Sequence, residues 1–384
     1  MTDTNDPDGW RSLARSMVRS IKRDGYLHSP SLEQAFLDVP RHVFVPEFFR
    51  LKQSDEGLTV VDGIVDAVDP AWLATVYTNE ALITQVKPIA GRPGTTTFTC
   101  SSSAPALMAD MIEELGIERG MDVLEIGTGT GYNAAILCRL LGDQAVTTID
   151  IDPELSAQAR ERLASLGCHP FYEAIAGAYD RILATHAVAD IPYDWVRWGK
   201  PGAVVLADLR APENNTVGAW ARVVIDQDGT TATGTLMDPR GYFMSARKVP
   251  EFANVGEPAP ELTEEEHQQR AERTRLRRTA VAADVVDAPD FALFLWRAAP
   301  RLMFATTTDG AAILNGPRAE SWAHVVGGDV HHGGAEDLWA VVEQAYERWN
   351  SAGSPPKESW TIRVDRHGRT TVRLPGEDDR CCVG

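Results

Sequence analysis

The stretch VLEIGTGTGYNAAIL, Val123 to Leu137, sets an acid, Glu125, ahead of three glycines, Gly127, Gly129 and Gly131, spaced by single residues. Such a turn leaves a strand with no side chain in the way, so a ligand can approach the main chain closely. The spacing is not the G-x-G-x-x-G of dinucleotide binders, and the Gly-Lys-Ser/Thr of a phosphate loop is absent. With no lysine for phosphate and an acid beside the turn, the loop suits a ligand with a cationic amino-acid end and a ribose. S-adenosylmethionine has both. Its ribose calls for a second acid at the end of the next strand, ~20 residues on, and TTIDID supplies Asp150, followed by Ile151 and Asp152. Asp152 stands before Pro153 and reads as a helix cap. The candidate cofactor-binding residues are therefore Glu125, Gly127, Thr128, Gly129, Gly131, Asn133, Asp150 and Ile151.

The elements that must position this loop follow from Met121 onward. Short apolar strands (MDVLEIG, AVTTIDI, YDRILATHA, GAVVLADL) alternate with helical runs (YNAAILCRLLG, PELSAQARERLASLG), the pattern of an α/β parallel sheet covered on both faces. Upstream, WRSLARSMVRSIKRDG is an amphipathic helix ending at Gly25, and SLEQAFLDVP a second one stopped at Pro40. Residues 51 to 94 read as irregular. In SSSAPALMADMIEELG, Pro105 takes the first helical position, Ser103 is placed to cap it and Gly116 to end it. After Arg210 a hairpin near Asp228-Gly229 appends antiparallel strands.

The composition shifts at residues 257–280, a charge-dense stretch read as a linker, and residues 281–384 form a smaller α+β unit. That unit holds the amphipathic helix LWAVVEQAYERWNSAG, and a tail from about residue 376 reads as disordered. Residues 1–256 are then the core with its N-terminal helical cap.

The chain has 384 residues and a net charge of −18, which disfavours nucleic acid as a partner because phosphate binding draws on Lys and Arg. No apolar run approaches the ~18 residues of a membrane span. The acidic start MTDTNDPDGW is unlike a secretory signal, and five cysteines without C-x-x-C spacing suggest neither a disulfide framework nor a zinc site. A reducing cytoplasm is expected, with no metal. His331-His332, between glycines, reads as an exposed loop, and the terminal Cys381-Cys382-Val383-Gly384 as a tail.

Three segments together resemble the protein-L-isoaspartate O-methyltransferase family: VPRHVFVPEFF, SSSAPALMADMIEEL and the glycine loop, within a likeness covering roughly residues 10 to 250. The resemblance implies a Rossmann-like class I methyltransferase fold, S-adenosylmethionine as methyl donor, and a substrate carboxylate received near the serine-alanine-proline run. The matching positions are Ser102 and Ser103. A carboxylate is already ionised at pH 7, so displacement needs alignment and exclusion of water more than a base. No Ser-His-Asp or Cys-His arrangement is needed, and His42 and His186 read as structural or orienting.

The chain is longer than an ordinary repair enzyme. With its tail and the segment DPAWLATVYTNEALITQV, Asp69 to Val86, it is similar to methyltransferases that accompany ATP-grasp peptide ligases or lanthipeptide synthetases in ribosomal-peptide biosynthesis. That resemblance implies methylation of an aspartyl side chain in a cyclised precursor peptide, leading to a succinimide (aspartimide). The ligase or synthetase would be a possible partner. General isoaspartyl repair and a non-catalytic peptide escort are the alternatives. One departure stands out: between Gly167 and Tyr179 only CHPFYEAIAGA intervenes, too short for the family's strand and Gly-Asp-Gly turn beside the adenine. Either Phe171 or Tyr172 lies against the adenine, or the sheet has lost a strand.

Overall fold

The computed structural model describes residues 9–53, 59–88, 96–212, 214–238, 241–245, 274–315, 321–377 and 383. The chain divides into two compact units that do not follow sequence order: residues 1–186, 197–206 and 240–253 form the first, and 187–196, 207–239 and 254–384 the second. Most of the stretch read as a linker, and Cys381 and Cys382 of the tail, lie outside the described residues.

The first unit opens with α1 (Gly9–Arg23) and α2 (Pro30–Asp38). Gly25, at φ +78°, ends α1 by letting Tyr26 N–H reach Ile21 O at 3.1 Å, a turn that a side chain would strain. A short α3 (Arg41–Phe44) follows Pro40. The stretch expected to be irregular is instead two hairpins and a helical turn: β1 (Glu47–Gln53) with β2 (Thr59–Asp66), α4 (Trp72–Val76), then β3 (Leu82–Pro88) with β4 (Thr96–Ser102). Both hairpins carry register shifts, which blur the two-residue alternation that would have marked them as strands.

Helix α5 (Pro105–Glu114) begins at Pro105, but Ser103 does not cap it. Its N-cap residue is Ala104, and the orphan Ala106 N–H is met by Asn79 Oδ1 at 2.8 Å. A cap supplied from 27 positions upstream has no local signal.

The expected alternation of strands and helices runs through β5 (Val123–Ile126), α6 (Tyr132–Leu141), β6 (Val146–Ile149), α7 (Pro153–Ser165), β7 (Tyr179–Val188), α8 (Tyr193–Trp198) and β8 (Gly199–Ala211). Strand β5 pairs in parallel with β6 and β7, and all four of its residues are buried, which accounts for its unbroken apolar run around Glu125. The strand expected after α7 survives as a single parallel bridge, Thr147 to Phe171: Phe171 N–H donates to Val146 O and Phe171 O accepts from Thr148 N–H, both at 2.9 Å. Phe171 is half-exposed, whereas the ring of Tyr172 lies under the Arg160 guanidinium at 4.1 Å.

Strand β8 runs on into the second unit. There β9 (Asn214–Ile225) and β10 (Ala232–Met237) form the expected hairpin, turned at Gly229 with φ +70°. Further along come β11 (Arg275–Arg278), α9 (Pro289–Ala298), β12 (Leu302–Thr306), β13 (Ala311–Asn315), β14 (Trp322–Val326), β15 (Asp329–Gly333), α10 (Leu338–Ser351), β16 (Thr361–Val364) and β17 (Thr370–Arg373). A five-stranded antiparallel sheet in the order β11-β15-β14-β13-β12 is covered by α10, which turns Leu338, Trp339, Val342 and Ala345 inward.

Two readings change here. Arg275–Arg278, assigned to the linker, is a strand whose Arg277 pairs with Asp337 at 2.6 Å and Glu343 at 2.9 Å. His331 and His332 are not in a loop but on β15, with His332 buried. Strands β16 and β17 pair with β10 rather than with the five-stranded sheet, and buried Lys357 holds that arrangement through Asp238 and Asp290. No helix among the described residues is long and apolar enough to cross a membrane.

Candidate active site

The glycine loop leaves β5 with all three glycines at positive φ: Gly127 +106°, Gly129 +52° and Gly131 +91°. Each serves a different neighbour. A Cβ on Gly127 would stand 2.4 Å from Thr185 Oγ1, which donates to Gly127 O at 2.6 Å from the end of β7. A Cβ on Gly131 would press on Ala159 of α7 at 3.1 Å, so the third glycine lets the loop pack closely on that helix. Only Gly129 faces a looser surround, Cys100 Sγ at 3.5 Å and Ser101 O at 3.8 Å, and here the main chain can be approached. The N–H groups of Gly127 and Thr128 are tied to Ile149 O at 2.8 and 3.1 Å, which fixes the loop to the end of β6.

Glu125 lies beneath the loop. It is 0% exposed, and its two oxygens accept from Asn133 Nδ2 at 2.7 Å and Thr148 Oγ1 at 2.6 Å. Thr148 Oγ1 in turn shares a 2.7 Å hydrogen bond with Thr128 Oγ1. Glu125 thus braces the loop from below through Asn133, Thr148 and Thr128, all buried. Burial pushes its carboxyl up to about 7, against the pull of the Thr148 and Asn133 hydrogen bonds.

Asp150 stands at the end of β6 as expected, and Oδ2 accepts Gly129 N–H at 2.8 Å while Oδ1 accepts Asp152 N–H at 2.9 Å. Each carboxylate oxygen keeps a second acceptor site, so hydroxyls can still be received. Ile151 beside it is 53% exposed, an apolar surface at the mouth of the site. Asp152 caps α7 through Glu154 and Leu155 N–H and pairs with Lys87 at 2.9 Å, which anchors the β3–β4 hairpin over the loop.

Of the two serines, Ser102 is buried, and its hydroxyl accepts from Arg41 Nε and Nη2 at 3.3 Å. Its side chain is thus turned into the protein, where the guanidinium holds it. Ser103 remains partly exposed, and its carbonyl accepts from Arg41 Nη2 at 3.2 Å. His42 shares a 2.9 Å hydrogen bond with Tyr77 Oη among Trp10 and Trp72, and burial lowers its pKa. His186 Nδ1 meets Ile126 O at 3.2 Å. Both histidines orient backbone or neighbours. Arg41, Asn79 and Thr185 went unread in the sequence; Arg41 sits in the run VPRHVFVPEFF, where its charge in an apolar context was the available signal.

Comparison with known proteins decides what this loop belongs to. A model of the family "Protein-L-isoaspartate(D-aspartate) O-methyltransferase (PCMT)" matches residues 68–229. The protein-L-isoaspartate O-methyltransferase of Thermococcus onnurineus is 32% identical over 200 residues, 49% of this chain and 74% of that protein. That of Xanthobacter autotrophicus is 35% identical over 177 residues, 43% and 73% of the two chains. The chain belongs to the protein-L-isoaspartate O-methyltransferase family. A solved structure titled protein-L-isoaspartate O-methyltransferase shares the fold with a TM-score of 0.53 at 21% identity, covering 94% of this chain and 99% of its own. The long C-terminal part therefore has a counterpart in a solved fold of that title.

This methyltransferase is an S-adenosylmethionine-dependent protein carboxyl O-methyltransferase. Its residues fit the donor: an approachable main chain at Gly129, the Asp150 carboxylate with acceptor capacity in hand, and an exposed apolar Ile151 lie at adjoining ends of β5 and β6.

Proposed function

We propose that the enzyme methylates the side-chain carboxylate of an aspartyl residue in a ribosomally made, already cyclised peptide, as the step before succinimide formation. The donor supplies a methyl group on a sulfonium. In this reading Gly129, Asp150 and Ile151 hold the donor, and Ser103 orients the acceptor. A carboxylate oxygen takes the methyl as the carbon–sulfur bond breaks, leaving a neutral ester. Methoxide leaves the ester far more readily than oxide leaves a carboxylate, so the following backbone nitrogen forms a bond to the carbonyl carbon, the carbon–methoxide bond breaks, and the nitrogen's proton departs with it as methanol, closing the ring. The protein's part is alignment and exclusion of water.

What supports the reading is the resemblance of the sequence Asp69–Val86 to methyltransferases that accompany ATP-grasp peptide ligases or lanthipeptide synthetases. Arg41 ties this segment to the serine run, donating to the Val76, Thr78 and Glu80 carbonyls on one side and to those of Ser102 and Ser103 on the other. The second unit would meet the peptide or its ligase. Isoaspartyl repair is the second reading, favoured by the names of the relatives and by a fold likeness that includes the C-terminal part.

Mass spectrometry separates them. The cyclised precursor and an isoaspartyl test peptide are each incubated with enzyme and S-adenosylmethionine. Gain of a methyl followed by loss of methanol on the precursor alone is expected; modification of the test peptide instead moves the enzyme to repair.

A further inference from the structure

Arg41 is 0% exposed, yet among the described residues every group it bonds is neutral. It donates to Val76 O at 2.9 Å, Thr78 O at 2.8 Å and Glu80 O at 2.9 Å, and to Ser102 O and Ser103 O at 3.2 Å, besides Ser102 Oγ. Tyr132 lies under its guanidinium at 5.8 Å. Among the described residues no carboxylate pairs with it, whereas the other deeply buried cations, Arg210, Arg297 and Lys357, each have one. A buried charge without a counter-ion is costly, and carbonyl dipoles alone leave its field directed outward toward what lies next to them. Burial lowers its pKa, to about 10, which leaves it cationic at pH 7. What lies next to it is the Ser102–Ser103 backbone.

We propose that Arg41 is a positioning residue for the acceptor: it fixes the Ser102–Ser103 backbone and gives that stretch an unneutralised positive field that attracts the substrate carboxylate without touching it. The inference rests on the carboxylate being received beside Ser103. Its chemical consequence follows from charge. The acceptor arrives as an anion and leaves as a neutral ester, so the attraction acts before transfer and vanishes after it, holding substrate and releasing product. Because negative charge is already falling in the transition state, the effect belongs to KM rather than to kcat.

The test uses the aspartyl peptide that gains a methyl in the assay above and its asparaginyl analogue, bound to wild type, Arg41→Gln and Arg41→Lys. Wild type is expected to prefer carboxylate over carboxamide by about tenfold, ~1.4 kcal/mol. Arg41→Gln is expected to lose that preference, raising KM about tenfold with donor affinity held to within about twofold. Arg41→Lys keeps the charge and is expected to keep the preference. A wild type without preference, equal weakening of both peptides by Arg41→Gln, or a fall in kcat alone overturns the proposal. If Arg41→Gln does not fold, Arg41→Lys decides, since loss of preference there overturns it too. An unchanged KM in Ser103→Val is a different failure, that of the Ser103 placement.

Discussion

Replacing Glu125 by glutamine tests whether this acid is a brace or a ligand contact. Its carboxyl is pushed from 4.5 to about 7 by complete burial, so the folded protein holds a proton that the unfolded chain releases over that interval. A raised folded pKa means stability fully present below the unfolded value and lost as pH rises through about 7. Applying 1.36 kcal/mol per unit, the wild type should lose at most about 2 kcal/mol between pH 5.5 and 8.5 from this group.

Glutamine keeps the shape and cannot ionise. Its carbonyl can accept from Asn133 Nδ2, and its amide can donate to Thr148 Oγ1 once that hydroxyl turns toward Thr128 Oγ1. Urea midpoints measured for both proteins across that range should diverge by the same amount, the variant becoming relatively more stable as pH rises. Calorimetric affinity for S-adenosylmethionine should stay within about threefold, less than 1 kcal/mol. Parallel stability curves, or a tenfold loss of donor affinity in Glu125→Gln, would refute the bracing role and return the acid to the ligand.

Other consequences are more direct. Gly129→Val should abolish donor binding by calorimetry, because a branched side chain at φ +52° and 3.5 Å from Cys100 Sγ both strains and fills the approach; undiminished binding would move the cofactor elsewhere. Asp150→Ala should weaken the donor by ~1–3 kcal/mol through lost charged acceptors, and Asp150→Asn by less, since Gly129 N–H keeps an oxygen partner. Cutting the chain after residue 256 should destabilise what remains, because β10 loses β16 and Asp238 loses Lys357; thermal unfolding that matched the full chain would show that hairpin to be self-sufficient.

The glycine loop, the alternation of strands and helices, Asp150 at a strand end and the cap at Asp152 were all legible because each is a short-range signal. Period, turn residue and cap lie within a few positions of one another. The family could be met on the same footing, from three local runs. Tertiary structure alone decided which members of those runs are buried against neighbours and which stay approachable. Glu125 and Gly131 sit in one continuous motif with Gly129, yet one is buried against Thr148 and the other against Ala159, partners 23 and 28 positions away. Arg41 turned the Ser102 hydroxyl inward from 61 positions upstream, and Asn79 took the cap that Ser103 seemed placed to provide. The C-terminal strands likewise joined β10 across more than 120 residues. A sequence records which groups can bond; which of them are left facing solvent depends on desolvation by neighbours that only the folded chain brings close.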